Sequence, residues 1–571
     1  MKFITPILIF ILNASLALSQ PCARAVYPTD HTLNNFLRTH SVQQAGNLQY
    51  GLGSFFEPAI RYVTADGVDT VDLVSVRGLL AGGVDASDGV HFAASVFSTG
   101  GVDFYSGPLV DPVYGTDLET CTFFGRAWKV SAAQIADIQN KFAQGDLTVN
   151  DIPINILEWP AKGNHRLGDF APDYDMAPFY DENEDGNYDP MDGDHPIALV
   201  ENPAFIPLEM IFTVYNGSGG GAAHGESGGF DIRMEFHQVD FVTRCASASI
   251  LDHGVFSRIR YIYKDDEPLF DFKMGLFQNQ LFPHPNCLGG GFSEELGAGY
   301  NYYWKDNEGC AFFNELEGAL LDPGHSFIAA VVHLDHEPES SLMYYDLERP
   351  RGKPRFAGDY HNLLSARWLD GESLVEGGIG YPQDSLDLDT TVFAFSDFPD
   401  DPDGWSMANV AEVEMLNHHA VTNMVSVDTL LPGDVGSVDF ADFFYYDRQS
   451  AGYELFGRWP QEVRSLRAAY ENILDGNADC LVSPTTELSD IPIHFSPNPV
   501  GDKMRIEVDG PIQLSDICIY NMQGMRISNI EAYPHSGMIE LDVSGISPGM
   551  YLLRLLDAED YSHKVTQFVK M

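Results

Sequence analysis

Basic residues are scarce in this sequence: 32 Lys and Arg stand against 83 Asp and Glu, giving a formal net charge of −51 over 571 residues. A surface with this excess of negative charge repels phosphate backbones, which makes nucleic acid a poor partner. The same charges repel one another in the folded chain unless salt screens them or cations bind them. The composition therefore suits calcium, a saline environment, or a surface that is simply soluble.

Cysteine is also sparse, with seven residues and no Cys-x-x-Cys pair. This pattern argues against a zinc site and against a disulfide-rich scaffold. An oxidising compartment would still permit one or two bridges. We expect a bridge between Cys287 and Cys310.

Long apolar runs are missing after the first residues of the chain, so the sequence predicts no transmembrane segment. Residues 1–19 contain an early lysine, an apolar run, and the small residues Ala17 and Ser19 at the end. This is the pattern of a cleavable signal peptide, with the mature chain starting near Gln20. We therefore expect the protein to be exported.

Short β patterns bounded by Gly, Asn, Asp and Pro dominate the remaining sequence. They predict a mainly β fold: a multidomain, β-sandwich-like passenger with few helices, followed by a small C-terminal antiparallel β-sandwich. The expected parts are a signal peptide (1–19), a β-rich region with one helix (20–155), a central β-rich domain (156–475), a linker (476–490) and the C-terminal module (491–571).

Two helices interrupt the β patterns. The segment 131–144 begins with Ser131, a good N-cap residue, and spaces its apolar residues at helical intervals. The segment 460–474 has Pro460 in its first turn and aligns apolar residues on one face. Both segments predict amphipathic helices that cover a β core.

Four motifs follow one another at the end of the chain: "FSPNPVGDKMRIEV", "ICIYNMQGMRI", "IELDVSGISPGMYLLRL" and "HKVTQFVK". In this order they resemble the type A C-terminal sorting domain of the type IX (Por) secretion system of Bacteroidota, over roughly residues 493–571. The resemblance implies export to the periplasm and then passage across the outer membrane through a translocon that recognises residues 491–571. In that family the domain is often removed, and the passenger is released or attached to surface lipopolysaccharide.

Segments of the middle of the chain, such as "WPAKGN" and "APFYDENEDGNYDPMDGDHP", resemble large uncharacterised surface proteins of the same phylum. That group has no established activity. The resemblance supports the expected architecture and implies no chemistry.

The acidic segment "DENEDGNYDPMD", residues 181–192, predicts a calcium site. Calcium needs six to eight oxygen ligands, and alternate residues of a tight loop supply them while Gly186 permits the turn. Pro190 and the lack of flanking helical patterns argue against an EF-hand and favour a calcium-bound turn between strands. A solvated acidic turn is the alternative. The predicted ligands are Asp181, Asn183, Asp185, Asn187, Asp189 and Asp192.

Ser227 lies in a G-x-S-x-G pattern, which is typical of a nucleophile elbow. An elbow needs a strand before the serine and a helix after it. Here a glycine-rich segment precedes Ser227 and a strand pattern follows it. A hairpin loop is therefore the better interpretation.

Polar residues that share one face of a predicted strand are weaker candidates, each with a structural role as the alternative. A second acidic turn at 398–405 could hold a cation, and aromatic residues at 300–304 could stack on sugars or fill the core. The same-face pairs are Glu235 with His237, and His333 with Asp335.

The leading functional prediction is a non-enzymatic surface or adhesion component with structural calcium. A secreted polysaccharide-acting hydrolase or a glycan-binding protein is the alternative, with extracellular glycans as partners. A hydrolase would display a pair of carboxylates in a cleft. The sequence contains too many acids for such a pair to be chosen, so we assign no catalytic residues.

Overall fold

The computed structural model describes twenty segments of the chain, and all structural statements below refer to them. They are residues 32–37, 46–52, 58–64, 70–74, 76–95, 103–110, 115–218, 224–245, 248–279, 288–303, 327–382, 389–410, 417–446, 452–477, 493–496, 500–508, 514–521, 531–535, 538–557 and 563–571.

The chain divides into two compact units, residues 1–481 and 482–571. The strands of the larger unit, in chain order, are β1 (Thr32–Leu37), β2 (Gly46–Leu52), β3 (Pro58–Thr64), β4 (Thr70–Val74), β5 (Val76–Val84), β6 (Val90–Ala94), β7 (Tyr105–Ser106), β8 (Trp128–Ser131), β9 (Phe179–Tyr180), β10 (His195–Pro196), β11 (Glu209–Asn216), β12 (Met234–Val242), β13 (Gly254–Tyr263), β14 (Leu269–Asn279), β15 (Leu288–Ser293), β16 (Ala298–Tyr303), β17 (Phe327–His333), β18 (Ser340–Tyr345), β19 (His418–Leu430) and β20 (Val435–Tyr446).

Its α-helices lie between these strands and after the last of them. They are α1 (Leu118–Phe124), α2 (Ala132–Gln144), α3 (Ile154–Leu157), α4 (Ala357–Leu364) and α5 (Trp459–Leu474).

Two antiparallel sheets dominate the larger unit. The nine-stranded sheet has the order β15-β16-β17-β20-β13-β12-β11-β7, with β8 also paired to β11. The five-stranded sheet has the order β18-β19-β14-β5-β6. Separate small sheets are formed by β1 to β4 and by β9 with β10.

The two large sheets pack face to face, because one buried apolar cluster draws residues from both. Phe236 and Tyr261 come from the nine-stranded sheet, and Met274 and Leu276 come from the five-stranded sheet. Side chains on successive strand residues point to opposite faces, so each sheet also has an outer face. The predicted mainly β, sandwich-like fold is therefore confirmed.

The outer faces are covered by helices and loops. Trp459 and Val463 of α5 and Ile135 of α2 join Phe212 of the nine-stranded sheet in one buried cluster. On the five-stranded sheet, α4 buries its apolar residues in a further cluster. Helices thus flank the sandwich on both sides.

Both helices expected from the sequence are present. Helix α2 begins after Ser131. The Ser131 hydroxyl accepts a hydrogen bond from the Gln134 backbone N–H, and the Gln134 side-chain oxygen accepts one from the Ser131 backbone N–H. This reciprocal pair is a capping box. Helix α5 contains Pro460 in its first turn and buries Val463 on its apolar face.

Strands that precede residue 155 share sheets with strands that follow it. Strand β5 pairs with β14, and β7 and β8 both pair with β11. The sequence had suggested a separate region before residue 156. Residues 76–155 instead share their sheets with the central domain. Their partner strands β11 and β14 lie far along the chain, and local patterns do not reveal such pairing.

The smaller unit consists of two antiparallel sheets, in agreement with the predicted C-terminal module. One sheet has the order β21-β22-β25-β24 and the other β23-β26-β27. The strands are β21 (Ile493–Ser496), β22 (Lys503–Val508), β23 (Leu514–Asn521), β24 (Glu531–His535), β25 (Met538–Asp542), β26 (Gly549–Asp557) and β27 (His563–Lys570).

Cys121 and Cys245 are both disulfide-bonded. The expected bridge between Cys287 and Cys310 lies outside the described residues. Among the described helices, none combines the length and apolarity needed to cross a membrane.

Candidate functional site

A pocket of about 590 Å³ opens on the outer face of the nine-stranded sheet. Its floor is formed by neighbouring strands: Phe212 of β11, His237 of β12, Arg258 and Arg260 of β13, and Ser437 of β20. Its volume lies within the range of small-molecule binding sites. Sequence analysis singled out His237 and did not single out either arginine.

Glu235 lies beside this pocket and is fully buried. Its Oε1 accepts from the Tyr174 hydroxyl at 2.6 Å and from His237 Nε2 at 2.7 Å. Its Oε2 accepts from Lys264 Nζ and from the Leu109 backbone N–H, each at 2.7 Å. Four donors occupy the acceptor positions of one carboxylate, which leaves no lone pair for a substrate proton.

The protonation states follow from this arrangement. Burial alone would raise the pKa of Glu235, but the His237 hydrogen bond and the Lys264 charge outweigh it and lower the pKa to about 2. Burial lowers the pKa of His237, against the effect of Glu235. Burial and then the charge of Glu235 raise the pKa of Tyr174. At neutral pH the cluster contains a carboxylate, a neutral imidazole and a neutral phenol.

Sequence analysis grouped Glu235 with His237 and did not identify the other members of the cluster. Tyr174 lies in a segment without a strand pattern, and Lys264 follows the end of β13. Their approach to Glu235 depends on chain folding over 61 and 29 residues. No local spacing signals such contacts.

The acidic loop, residues 181–194, brings four of the six predicted calcium ligands together. The Asn183 amide lies 3.3 Å from Asp185 Oδ2 and 3.4 Å from Asp192 Oδ2. Asp181 accepts the backbone N–H groups of Asp185 and Gly186 at 3.2 and 2.7 Å. These four side chains lie in one turn, and their role as calcium ligands stays a prediction.

The other two predicted ligands are placed differently. The Asp189 side chain caps the short 3₁₀ helix Pro190–Asp192, because it accepts a hydrogen bond from the Met191 backbone N–H. It also lies 3.5 Å from the Arg166 guanidinium. The Asn187 amide donates to the Asp185 carbonyl oxygen. Within the described segments, no three His, Cys, Asp or Glu side chains form a group suited to a metal ion.

Asp194 organises the loop from beneath, and sequence analysis did not identify it. It is fully buried, and its two oxygens accept the backbone N–H groups of Glu182 and Asp189. Burial, and further the charges of Asp181 and Asp185, raise the pKa of Asp194 to about 6 against the effect of these two hydrogen bonds. The only signal for it was its position two residues after the end of the motif.

Ser227 is not a nucleophile elbow. It is completely buried, its hydroxyl donates to the Phe92 carbonyl oxygen at 2.7 Å, and β12 follows it where an elbow requires a helix. The hydroxyl stabilises the turn that ends at Gly229, whose N–H it accepts at 3.1 Å. Ser227 therefore holds the loop against β6.

The remaining candidates also have structural positions. Tyr300 and Tyr302 are buried in the core against the helices, which confirms the core interpretation for these two residues, and Trp304 lies outside the described residues. His333 is buried, while Asp335 contacts His336 and accepts the Asp439 backbone N–H. Tyr300, Tyr302 and His333 are therefore buried, and Asp335 is exposed but already paired with His336.

Comparison with protein families identifies the end of the chain. Residues 495–570 match the family described as "Secretion system C-terminal sorting domain". The tail is typical of export to the cell surface or secretion, and of interaction with the type IX secretion machinery. The resemblance of the C-terminal motifs is thereby confirmed.

Other comparisons add little. No curated protein matches the chain. A solved structure of a polysaccharide lyase is similar over 59% of this chain and 34% of its own, at 9% identity and a TM-score of 0.19. This chain therefore spans about a third of that protein's length, and the similarity carries no functional argument.

Proposed function

We propose that this exported protein is a non-enzymatic surface component that binds an extracellular ligand in the pocket of the nine-stranded sheet, with structural calcium in the acidic loop. The observation that carries the proposal is that every acceptor position of the Glu235 carboxylate beside the pocket is already occupied. Glu235 already accepts four hydrogen bonds, so it cannot act as a general base without losing buried partners. The pocket itself is open to a ligand.

Calcium is supported by the chemistry of the loop. Asp181, Asn183, Asp185 and Asp192 provide only hard oxygen ligands, and the Asn183 amide already draws two of these carboxylates together. Asn187 would add its main-chain carbonyl, and Asp189 would have to leave the Met191 N–H. The ion would offset carboxylate repulsion and hold the turn.

A polysaccharide-acting hydrolase is the second candidate, because two carboxylates, Asp175 and Glu201, line the same pocket. Their surroundings do not favour acid–base catalysis. The Asp175 side chain is 85% exposed, and Glu201 is paired with Arg258. Both side chains remain accessible to water, whereas the acid of a hydrolase is held in a dry environment.

The test is a binding screen of the full mature chain against glycans and extracellular-matrix proteins in millimolar calcium, with release of reducing sugar ends measured in parallel. We expect binding without product. Absence of any bound ligand would overturn the proposed binding role, and release of reducing ends would favour the hydrolase.

A further inference from the structure

Arg258 and Arg260 lie on the same face of β13, two residues apart, and both line the pocket. The neighbouring strand β20 places Asp439 opposite Arg258 but Ser437 opposite Arg260. One arginine therefore faces an acid across the strand pair, while the other faces a hydroxyl.

The Arg258 guanidinium shows how this surface accepts a carboxylate. Its Nε and Nη2 donate to the two oxygens of Asp439 at 2.7 and 2.6 Å, and its Nη1 contacts Glu201. Such a two-pronged contact matches the planar edge of a guanidinium to a planar carboxylate. The Nε and Nη2 donors of Arg258 are thus occupied by a carboxylate of the protein itself.

The same edge of Arg260 has no such partner. Its Nη1 is fully used, donating to the Asp175 carbonyl oxygen at 2.9 Å and to His237 Nδ1 at 3.2 Å. In the part of the chain that the structure describes, the hydrogen bonds of Arg260 are made by Nη1, no carboxylate forms an ion pair with Arg260, and neither Nε nor Nη2 is completely cut off from solvent. The Nε and Nη2 groups of Arg260 therefore remain available to donate two parallel hydrogen bonds to a ligand.

The cluster beside the pocket holds Arg260 in this orientation. Ionised Glu235 can only accept, so His237 donates to it through Nε2–H, and the Nδ1 lone pair is left to accept from Arg260. This proton assignment follows from the hydrogen-bond network. Glu235 and His237 are therefore positioning residues for Arg260.

We propose that Arg260 binds the carboxylate of an acidic sugar, so that the ligand of the pocket is a polysaccharide containing uronic acid residues. The inference rests on the proposed binding function and names its ligand class. Each uronic acid residue carries one carboxylate for the open edge of Arg260 and several hydroxyl groups. Asp175 and Glu201 can accept from those hydroxyls, and Phe179 and Val200 offer apolar contact to the ring.

An acidic peptide fits this surface less well than a sugar does. Consecutive acidic residues would approach a chain whose net charge is −51, next to the carboxylates of Asp175 and Glu201. A polysaccharide in which neutral sugars separate the uronic acid residues has a lower charge density and meets less of that repulsion. The two ligand classes differ enough for one experiment to separate them.

The experiment is calorimetric titration of the full mature chain with three probes. These are a panel of uronic acid oligosaccharides of different linkage, the same oligosaccharides with their carboxyl groups reduced to alcohols, and an acidic peptide. The variants are Arg260→Gln, Arg260→Lys, and the matched control Arg464→Gln, which removes an exposed arginine of α5 paired with Glu295. Thermal melting verifies that each variant is folded.

We expect an acidic oligosaccharide to bind the wild type and the Arg464→Gln control equally, and Arg260→Gln to weaken binding about 10- to 100-fold. Arg260→Lys should restore only part of the loss, because it keeps the charge without the two-pronged edge. Equal binding of the acidic and reduced sugars would overturn the ligand class while leaving the binding function intact. Binding of the peptide alone, with the same loss in Arg260→Gln, would also overturn it. Absence of binding to every probe would overturn the ligand class, whereas the binding function is overturned only if the screen against glycans and matrix proteins also finds no ligand.

Discussion

Beside the pocket, buried carboxylates contact cations: Glu235 lies 2.7 Å from Lys264, and Asp439 lies 2.6 Å from Arg258. In the acidic loop, the nearest groups to Asp181 are backbone N–H groups, and Asp185 and Asp192 share only the neutral Asn183 amide. The carboxylates beside the pocket are neutralised by protein cations, and Arg260 in the pocket is left without a carboxylate partner among the described residues, whereas the loop concentrates negative charge with little to offset it. The contrast motivates both proposals, a ligand in the pocket and a cation in the loop.

Removing a charge partner in the pocket should have the largest effect on stability. Lys264→Met leaves the buried Glu235 carboxylate without its cation, so we expect a loss of about 3 kcal/mol in the free energy of unfolding. In the loop, Asp181→Ala removes a repelled charge and should change calcium-free stability by less than about 0.5 kcal/mol. Urea denaturation of both variants measures the two losses in the free energy of unfolding. Equal losses would contradict the difference between the two regions.

The pH dependence should separate the two regions next. Glu235 has a folded-state pKa of about 2, below its ordinary value of 4.5, so its contribution is present above about pH 4.5 and is lost as the pH falls towards 2. Between pH 5 and pH 3 the stability advantage of the wild type over Glu235→Gln should narrow by about 2 kcal/mol. Denaturation curves at both pH values test this. An advantage that stays constant would mean that Glu235 is not ionised in the native state.

Calcium should act on the loop alone, with the smallest effect. Extracellular sites of this kind bind calcium at about 10⁻⁴–10⁻³ M, so millimolar calcium should stabilise the protein by about 1–2 kcal/mol. Magnesium should do much less, and sodium chloride at matched ionic strength should not reproduce the effect.

The matched variant for the calcium effect is Asp181→Ala/Asp185→Ala, which should lose most of the rise in melting temperature while folding normally without calcium. Lys264→Met should show the full calcium-induced rise in melting temperature, relative to its own lower melting temperature without calcium. A calcium response of equal size in the loop variant and the wild type would assign the ion to general surface charge or to another site.

Local patterns predicted much of the fold. The Ser131 cap, the apolar face of α5 and the β patterns each depend on residues close together in sequence, and all of them appear in the structure. The convergence of Asp181, Asn183 and Asp185 is equally local, since the turn at Gly186 produces it. Short-range geometry is what a sequence pattern encodes.

The pocket could not be predicted, because it depends on which strands become neighbours. The alternation in β13 places Arg258 and Arg260 on one face, but only the register with β20 gives one of them Asp439 and the other Ser437. That register joins residues 181 positions apart. Likewise, the Asp189 side chain caps a 3₁₀ helix that the calcium pattern does not describe.

The central claim is that the pocket binds a ligand without transforming it. Its most direct test is a single sample in which the mature wild-type chain is titrated with a uronic acid oligosaccharide by calorimetry and then assayed for chain cleavage over several hours. The account predicts saturable binding of about one ligand per chain, weakened in Arg260→Gln, with the oligosaccharide recovered intact. Shortened oligosaccharide, formed by the wild type and not by Arg260→Gln, would contradict it and assign an enzymatic reaction to this pocket.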